Sequence, residues 1–361
     1  MEQDKQYMRL ALEMAKSTTG QTAPNPHVGS VLVRDGQIVG MGAHLKAGEP
    51  HAEVHALRMA QEKAKGATAY VTLEPCSHQG RTGPCAEALV KAGVSKVVIA
   101  ALDPNPLVSG NGVKILKNAG IEVVVGVLEE EADKLNEVFN KFIVKNTPFV
   151  TLKAAMTLDG KIATSTGSSK WITGEKAREE VHRLRSVHDA ILVGVNTVIA
   201  DDPELTCRFI EGRNPIRVIL DSTLRIPLSA KLINDDEAPT WIFTSQSFDV
   251  QKKEELEKRR CRVFVTSSQE QVDIQEVLQL LANEQITSLF VEGGSGINGA
   301  FIEKRLIDKV IFFIAPKLVG GRNALTPVSG KGILEMNDAL QLQNASIKQV
   351  GEDFCIEGYL K

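Results

Sequence analysis

Residues 69–93 read Ala69-Tyr70-Val71-Thr72-Leu73-Glu74-Pro75-Cys76-Ser77-His78-Gln79-Gly80-Arg81-Thr82-Gly83-Pro84-Cys85-Ala86-Glu87-Ala88-Leu89-Val90-Lys91-Ala92-Gly93. The run Ala69 to Leu73 predicts a strand, rich in apolar and β-branched residues. Cys85 to Ala92 predicts a helix closed by Gly93, the residue that tolerates a left-handed C-terminal turn. Upstream, Pro50 precedes His51-Ala52-Glu53, and His51 to Ala64 predicts a second helix. Helix, strand and helix in succession indicate a layered α/β domain. The polar chemistry sits at the ends of these elements: His51, Cys76 and Cys85. One imidazole and two thiolates suit Zn²⁺, and three protein ligands leave a fourth position open.

Other readings of these residues stay open. His51 and His55 are four apart on one helix face and could ligate as a pair. That leaves both Pro-Cys elements unexplained. His78 could be a fourth ligand in a closed, structural site. The thiols could also be ordinary ones with no metal. Glu53, two residues from His51, need not ligate and is placed to move a proton.

Working outward, Asp4 to Thr18 has Tyr7, Met8, Ala11, Leu12 and Ala15 at helical spacing. Val28 to Val33 and Ile38 to Gly42 predict a hairpin turning at Asp35-Gly36. Beyond Gly93, a strand at Val97 to Ala101, a helix at Val113 to Asn118 and a strand at Glu122 to Val125 follow. Glu129 to Lys145 reads as one charged helix. Asn146-Thr147-Pro148 then breaks the pattern, which predicts domains at 1–146 and 147–361. In the second, strands are expected at 149–155, 190–193, 216–220, 241–243, 262–265, 288–291 and 310–314. Helices are expected at 175–186 and 272–283.

The chain has 361 residues, enough for two such domains. Its 42 Lys+Arg and 45 Asp+Glu leave a net charge of −3, so no basic field attracts nucleic acid. No apolar run approaches the length of a membrane span. Five cysteines are too few for a disulfide scaffold. These features lead to an expectation of a cytoplasmic protein acting on a small molecule, with no nucleic-acid or membrane partner.

The His-x-Glu and Pro-Cys elements match the signature of the zinc nucleobase deaminases. In many of these, two residues separate the cysteines; here there are eight, 77–84. The longer segments narrow the match. Thr72 to His78, Gly80-Arg81-Thr82 and Pro84-Cys85 resemble the deaminase half of the bifunctional riboflavin-biosynthesis deaminase/reductases. Lys153 to Lys161, Ser169 to Thr173, Asp201 to Thr206 and Val291 to Gly294 resemble the reductase half. Gly83 departs from this family, which often has a second proline there.

The resemblance implies a cytidine-deaminase-like α/β/α domain followed by a dihydrofolate-reductase-like α/β domain. It implies hydrolytic deamination of 2,5-diamino-6-ribosylamino-4(3H)-pyrimidinone 5′-phosphate. NADPH-dependent reduction of the ribosyl group to ribityl would follow. His51, Cys76 and Cys85 would hold zinc and Glu53 would shuttle protons. Asn25, His44, Ser77, Arg81, Asp103 and Asn105 would surround the first substrate. Ala155, Trp171, Thr197, Asp201, Ser222 and the run Gly294-Ser295-Gly296-Ile297-Asn298-Gly299-Ala300 would face NADPH. Ser169, Arg185, Leu205, Arg208 and Glu292 would face the second substrate. Lys153 and Asp159 border this region in a supporting role. The resemblance also implies a homo-oligomer.

Read on spacing alone, Gly294, Gly296 and Gly299 follow a strand as G-x-G-x-x-G, which suits phosphate approach to a helix N-terminus. The run falls late in its domain, and the next strand ends Ala315-Pro316-Lys317 without a ribose-binding carboxylate. Arg185 and Arg208 have the fork geometry of phosphate clamps. A competing reading is a zinc nucleoside or RNA deaminase with a C-terminal binding module. A non-enzymatic alternative is a nucleotide sensor stabilised by a closed metal site.

Overall fold

A computed structural model describes residues 2–77, 83–105 and 108–360. The chain divides into two compact units, Met1–Asn146 and Thr147–Lys361. Both are mixed α/β.

In the first unit, α1 (Glu2–Lys16) precedes a hairpin of β1 (Gly29–Arg34) and β2 (Gln37–Ala43). Then come α2 (Ala52–Ala60), β3 (Thr68–Leu73), α3 (Cys85–Ala92), β4 (Lys96–Ala101), α4 (Asn111–Asn118) and β5 (Glu122–Val125). The sheet order is β2-β1-β3-β4-β5. β1 runs antiparallel to β2 and β3, while β3, β4 and β5 are parallel. The expected helix over 51–64 ends at Ala60 and tightens into a 3₁₀ turn, Gln61–Ala64.

Small residues set how closely α2 lies on the hairpin. Ala52, Ala56 and Ala60 recur at i, i+4 and are almost fully buried. They face Gly40 and Gly42. A Cβ at Gly42 would stand 2.5 Å from the Ala52 carbonyl oxygen and 2.5 Å from the His55 Cβ. One at Gly40 would collide with the Ala56 carbonyl. The backbone of α2 therefore rests directly on β2.

The segment read as one helix over 129–145 is two, α5 (Glu129–Leu135) and α6 (Glu137–Lys145). Asn136 breaks it. Its buried amide accepts from the His27 N–H at 2.8 Å and donates to the His27 carbonyl at 3.0 Å. This long-range clamp overrides a helical pattern that is locally continuous.

The second unit carries β6 (Phe149–Thr157), α7 (Glu175–Val187), β7 (Ala190–Gly194), α8 (Val195–Asp201) and β8 (Ile216–Leu220). It continues with α9 (Lys231–Asn234), β9 (Thr240–Thr244), α10 (Val250–Lys258), β10 (Arg262–Val265) and α11 (Ile274–Asn283). β11 (Ser288–Val291), α12 (Ser295–Glu303), β12 (Lys309–Ala315), β13 (Gln343–Val350) and β14 (Asp353–Tyr359) complete it. The order β10-β9-β8-β7-β11-β6-β12-β14-β13 gives seven parallel strands and an antiparallel pair at one edge.

The central strands are buried on both faces, so they read as continuous apolar runs. Ile191 and Val193 of β7 join one core, with Ile219, Ile242 and Phe290. Ala190 and Leu192 join the opposite core, with Val218, Phe243 and Leu289. The pattern missed α10, whose sequence buries only Leu256. It also missed β13, where seven of eight residues are exposed, so no alternation was there to read.

The glycine contact yields a direct test. Gly42→Ala should destabilise the first unit by about 1–3 kcal/mol, the usual cost of forcing a methyl into a packed contact. Far-UV circular dichroism during denaturation would register it. Tryptophan fluorescence should not move, because Trp171 and Trp241, the chain's two tryptophans, both lie in the second unit.

Candidate active sites

The ends of three elements meet in the first unit. His51 immediately precedes α2, Cys76 lies three residues beyond β3, and Cys85 opens α3. The His51 Nδ1 stands 3.6 Å from the Cys76 Sγ and 3.4 Å from the Cys85 Sγ. Donor atoms of all three residues lie within 4.8 Å of one another. Bond lengths of about 2.3 Å to sulfur and 2.0–2.1 Å to nitrogen put neighbouring N and S donors of tetrahedral zinc about 3.6 Å apart. The donor set therefore fits zinc in kind and in spacing. Among the described residues His55 does not belong to this cluster; His78 lies outside them.

The electrostatics prepare the site for a cation. The Cys85 thiol, His51 and the Cys85 N–H at 3.3 Å together lower the pKa of the Cys76 thiol. Glu53, in the first turn of α2, is 3% exposed, and its Oε2 has no hydrogen-bond partner among the described residues. Burial pushes its carboxyl up to about 7. A proton can thus enter and leave it near neutral pH.

A cavity of about 560 Å³ opens onto these groups. Asn25, His44, Asp103 and Asn105 line it with His51, Glu53 and Cys76; Phe139 and Ile143 of α6 form an apolar wall. Asn25 Nδ2 meets His44 Nε2 at 3.0 Å, and His44 Nδ1 meets the Pro50 carbonyl at 3.3 Å. Burial lowers the His44 pKa. With Nδ1 donating to the Pro50 carbonyl, Nε2 accepts from the Asn25 amide, which fixes both side chains. Ser77 follows Cys76 but is not part of the cavity lining, and Arg81 lies outside the described residues.

Sequence reasoning missed Glu74. Its buried carboxylate accepts N–H groups from Asp103 (3.3 Å), Gly110 (2.9 Å) and Val113 (3.1 Å). It caps the start of α4 and holds Asp103 at the cavity. Its place directly before Pro75-Cys76 was the available signal, but the partners lie 29 or more residues away.

In the second unit, a cavity of about 810 Å³ is lined by Thr197, Asp201, Ser222, Gly294, Ser295, Gly296, Ile297 and Ala300. Ser169, expected to face substrate, lines it too. Ala155 instead packs against the core, and Trp171 is 66% exposed with Arg178 over its ring. Asn298 is buried and donates to the Pro327 carbonyl. Gly299 packs against the Ser329 backbone, where a Cβ would clash.

The substrate-facing expectations converge on Glu292, at the end of β11. Arg185 grips it through Nε at 2.6 Å and Nη2 at 3.2 Å, and Lys153 adds its ammonium at 3.3 Å. The remaining Arg185 nitrogen donates to the Thr206 carbonyl at 3.1 Å. Arg185 is thus committed to a buried carboxylate rather than open to solvent. Leu205 is buried beside this anchor, and Arg208 pairs with Glu204 at the edge of a separate cavity of about 610 Å³. Asp159 accepts from Thr157, Val319 and Gly320, tying the end of β6 to that segment.

Comparison with known proteins follows these features. Residues 1–101 match the cytidine and deoxycytidylate deaminase zinc-binding region, and residues 148–356 match the RibD C-terminal domain. Riboflavin biosynthesis protein RibD of Bacillus amyloliquefaciens is 50% identical over 96% of this chain and 94% of its own. That of Aquifex aeolicus is 49% identical over 98% and 97%. The solved RibD of Acinetobacter baumannii superposes with a TM-score of 0.90 at 42% identity, covering 100% of this chain and 99% of that one. A solved diaminohydroxyphosphoribosylaminopyrimidine deaminase/5-amino-6-(5-phosphoribosylamino)uracil reductase from Thermotoga maritima gives 0.87 at 38%, with the same coverage.

Fold and sites thus define an enzyme that joins a zinc-dependent deaminase to an NADPH-dependent reductase. The chain belongs to the RibD family of bifunctional riboflavin-biosynthesis deaminase/reductases.

The Glu292 network carries a pH prediction. Burial alone would raise this carboxyl; the Arg185 and Lys153 charges reverse that and hold it at about 2, below its ordinary 4.5. A depressed carboxyl pKa adds stability that is complete above 4.5 and vanishes as pH falls towards 2. The second unit should lose stability across that window in tryptophan-monitored denaturation. Glu292→Gln should flatten this part of the dependence. It should cost about 3–5 kcal/mol at neutral pH by stranding two buried cations.

Proposed function

We propose that the first unit deaminates the pyrimidine at the His51–Cys76–Cys85 cavity and that the second reduces the ribosyl group beside Glu292. The reading of the first site rests above all on one observation, the buried Glu53 carboxyl, raised to about 7 by burial, next to a three-donor cluster. In the overall reaction, water replaces an exocyclic ring amine: a C–O bond forms, the C–N bond breaks and ammonia leaves. Zinc held by His51, Cys76 and Cys85 would supply Lewis-acid activation of water at neutral pH.

Glu53 then acts as the proton carrier. Its pKa of about 7 lets the carboxylate take a proton from the attacking water and return it to the departing amine. Asn25 and His44, locked to each other, present fixed polar edges to the pyrimidine. Asp103, held by Glu74, and Asn105, whose N–H donates to the Asp103 carboxylate, line the same cavity. Phe139 and Ile143 exclude water from the ring face.

In the second unit NADPH would supply hydride. The backbone at Gly294 to Gly296, at the start of α12, suits its phosphates. Thr197, Asp201 and Ser222 line the remaining wall. Lys153 within β6, Arg185 of α7 and Glu292 at the end of β11 form a charged network, suited to orienting the hydroxyls and phosphate of the sugar. Such a site works by aligning donor and acceptor carbons.

The proposal extends to a cytoplasmic homo-oligomer. Five free cysteines fit a reducing compartment. The exposed edge strand β13 with Ile347, and the exposed Leu334 and Met336, fit an apolar contact between copies.

Glu53→Gln tests the first site. Deamination should fall by about 10²–10⁴-fold, with one zinc still bound per chain. Mass spectrometry of the diaminopyrimidinone substrate would follow the replacement of NH by O. Reduction of already deaminated substrate should continue at the wild-type rate. Unchanged deamination in this variant would remove Glu53 from the mechanism.

A further inference from the structure

Asn136 does not do what an asparagine at a helix start ordinarily does. At the head of α6 its side chain would be expected to cap the helix by accepting a backbone N–H of the first turn. It makes no such cap. Backbone bonds carry the chain through the junction instead: the Asn136 N–H donates to the Ala132 carbonyl at 3.1 Å, and the Asn140 N–H to the Asn136 carbonyl at 2.8 Å. Asn136 is 2% exposed, and both ends of its amide are committed to the His27 backbone, at 2.8 and 3.0 Å.

His27 belongs to the segment that brings Asn25 to the cavity of the first unit. Within it, the Asn25 N–H donates to the Thr22 carbonyl at 2.9 Å, and the Thr22 hydroxyl donates to the Asn25 carbonyl at 3.0 Å. Pro24 and Pro26 flank Asn25, each with φ fixed by its ring. The segment is a stiff turn, so a displacement of His27 carries Asn25 with it. Asn25 Nδ2 meets His44 Nε2, which leaves Oδ1 as the atom that can accept from a ligand. The amino groups of an aminopyrimidine are donors of that kind.

The other end of the clamp is the apolar wall. Phe139 and Ile143 follow Asn136 at i+3 and i+7, which places them on its helix face, and both line the cavity. One side chain thus ties the polar wall at Asn25 to the apolar wall of α6. Its hydrogen bonds reach neither Glu53 nor the three donor residues.

We propose that Asn136 is a positioning residue of the first site, which sets the affinity for the aminopyrimidine by holding Asn25 in register with the Phe139 and Ile143 wall. The inference rests on the reading of this cavity as the deaminase site. Steady-state deamination by full-length Asn136→Ala tests it. KM for the diaminopyrimidinone should rise by about three- to tenfold, the worth of one hydrogen bond. The kcat should hold, because Asn25 binds ground state and transition state alike. Bound zinc should be retained, and reduction of already deaminated substrate should continue at the wild-type rate. A role confined to stability would lower kcat through loss of folded enzyme and leave KM where it was. A double-mutant cycle with Asn25→Ala reads the route: in that background the substitution of Asn136 should add little to KM. If Asn136→Ala does not fold, Asn136→Asp takes its place with the same expected rise, since it keeps an acceptor for the His27 N–H and loses the donor. Unchanged KM, or effects of the two substitutions that simply add, would overturn the role of Asn136. Absence of deamination by the wild-type protein would overturn the reading of the site, and the inference with it.

Discussion

The first site depends on how closely α2 approaches β2. Gly40 and Gly42 have no side chains to hold the helix off, and Ala52, Ala56 and Ala60 offer almost none. Helix backbone therefore rests on strand backbone. His51 precedes the helix and Glu53 lies in its first turn, so this contact fixes both. The sites of the second unit depend likewise on backbone placement, because its functional groups stand at the carboxyl ends of parallel strands.

Both sites combine a rigid charged framework with one carboxylate in an unusual environment. At Glu53 burial outweighs the neighbouring hydrogen bonds, which raises its pKa and suits it to proton transfer. Glu292 is buried with two cations, which depresses its pKa and makes it a fixed anion. Residue type and burial are nearly the same, and the neighbours reverse the outcome.

Much of this was readable from local patterns. The His-x-Glu and Pro-Cys elements mark the metal donors because ligand chemistry restricts residue types and chain turns restrict spacing. The alternation of helices and strands reads through because each element buries a face. Patterns failed where a distant partner decided the outcome. Asn136 splits a helix because His27, 109 residues away, needs its amide. Arg185, which resembles a solvent-facing clamp, is drawn inward by Glu292, 107 residues away.

From residue order alone came the reading of two α/β domains, the division near residue 146 and the His51, Cys76 and Cys85 donor cluster. Those follow from short-range periodicity and from the chemistry of single side chains. The tertiary structure decided which charges are paired and which are available. It placed Glu74 in the wall of the first unit's cavity, closed Arg185 onto Glu292, and bound the Asp221 carboxylate to the N–H groups of Arg225 and Ile226. Burial and pairing arise only when segments far apart in the chain are brought together, and no local window contains both partners.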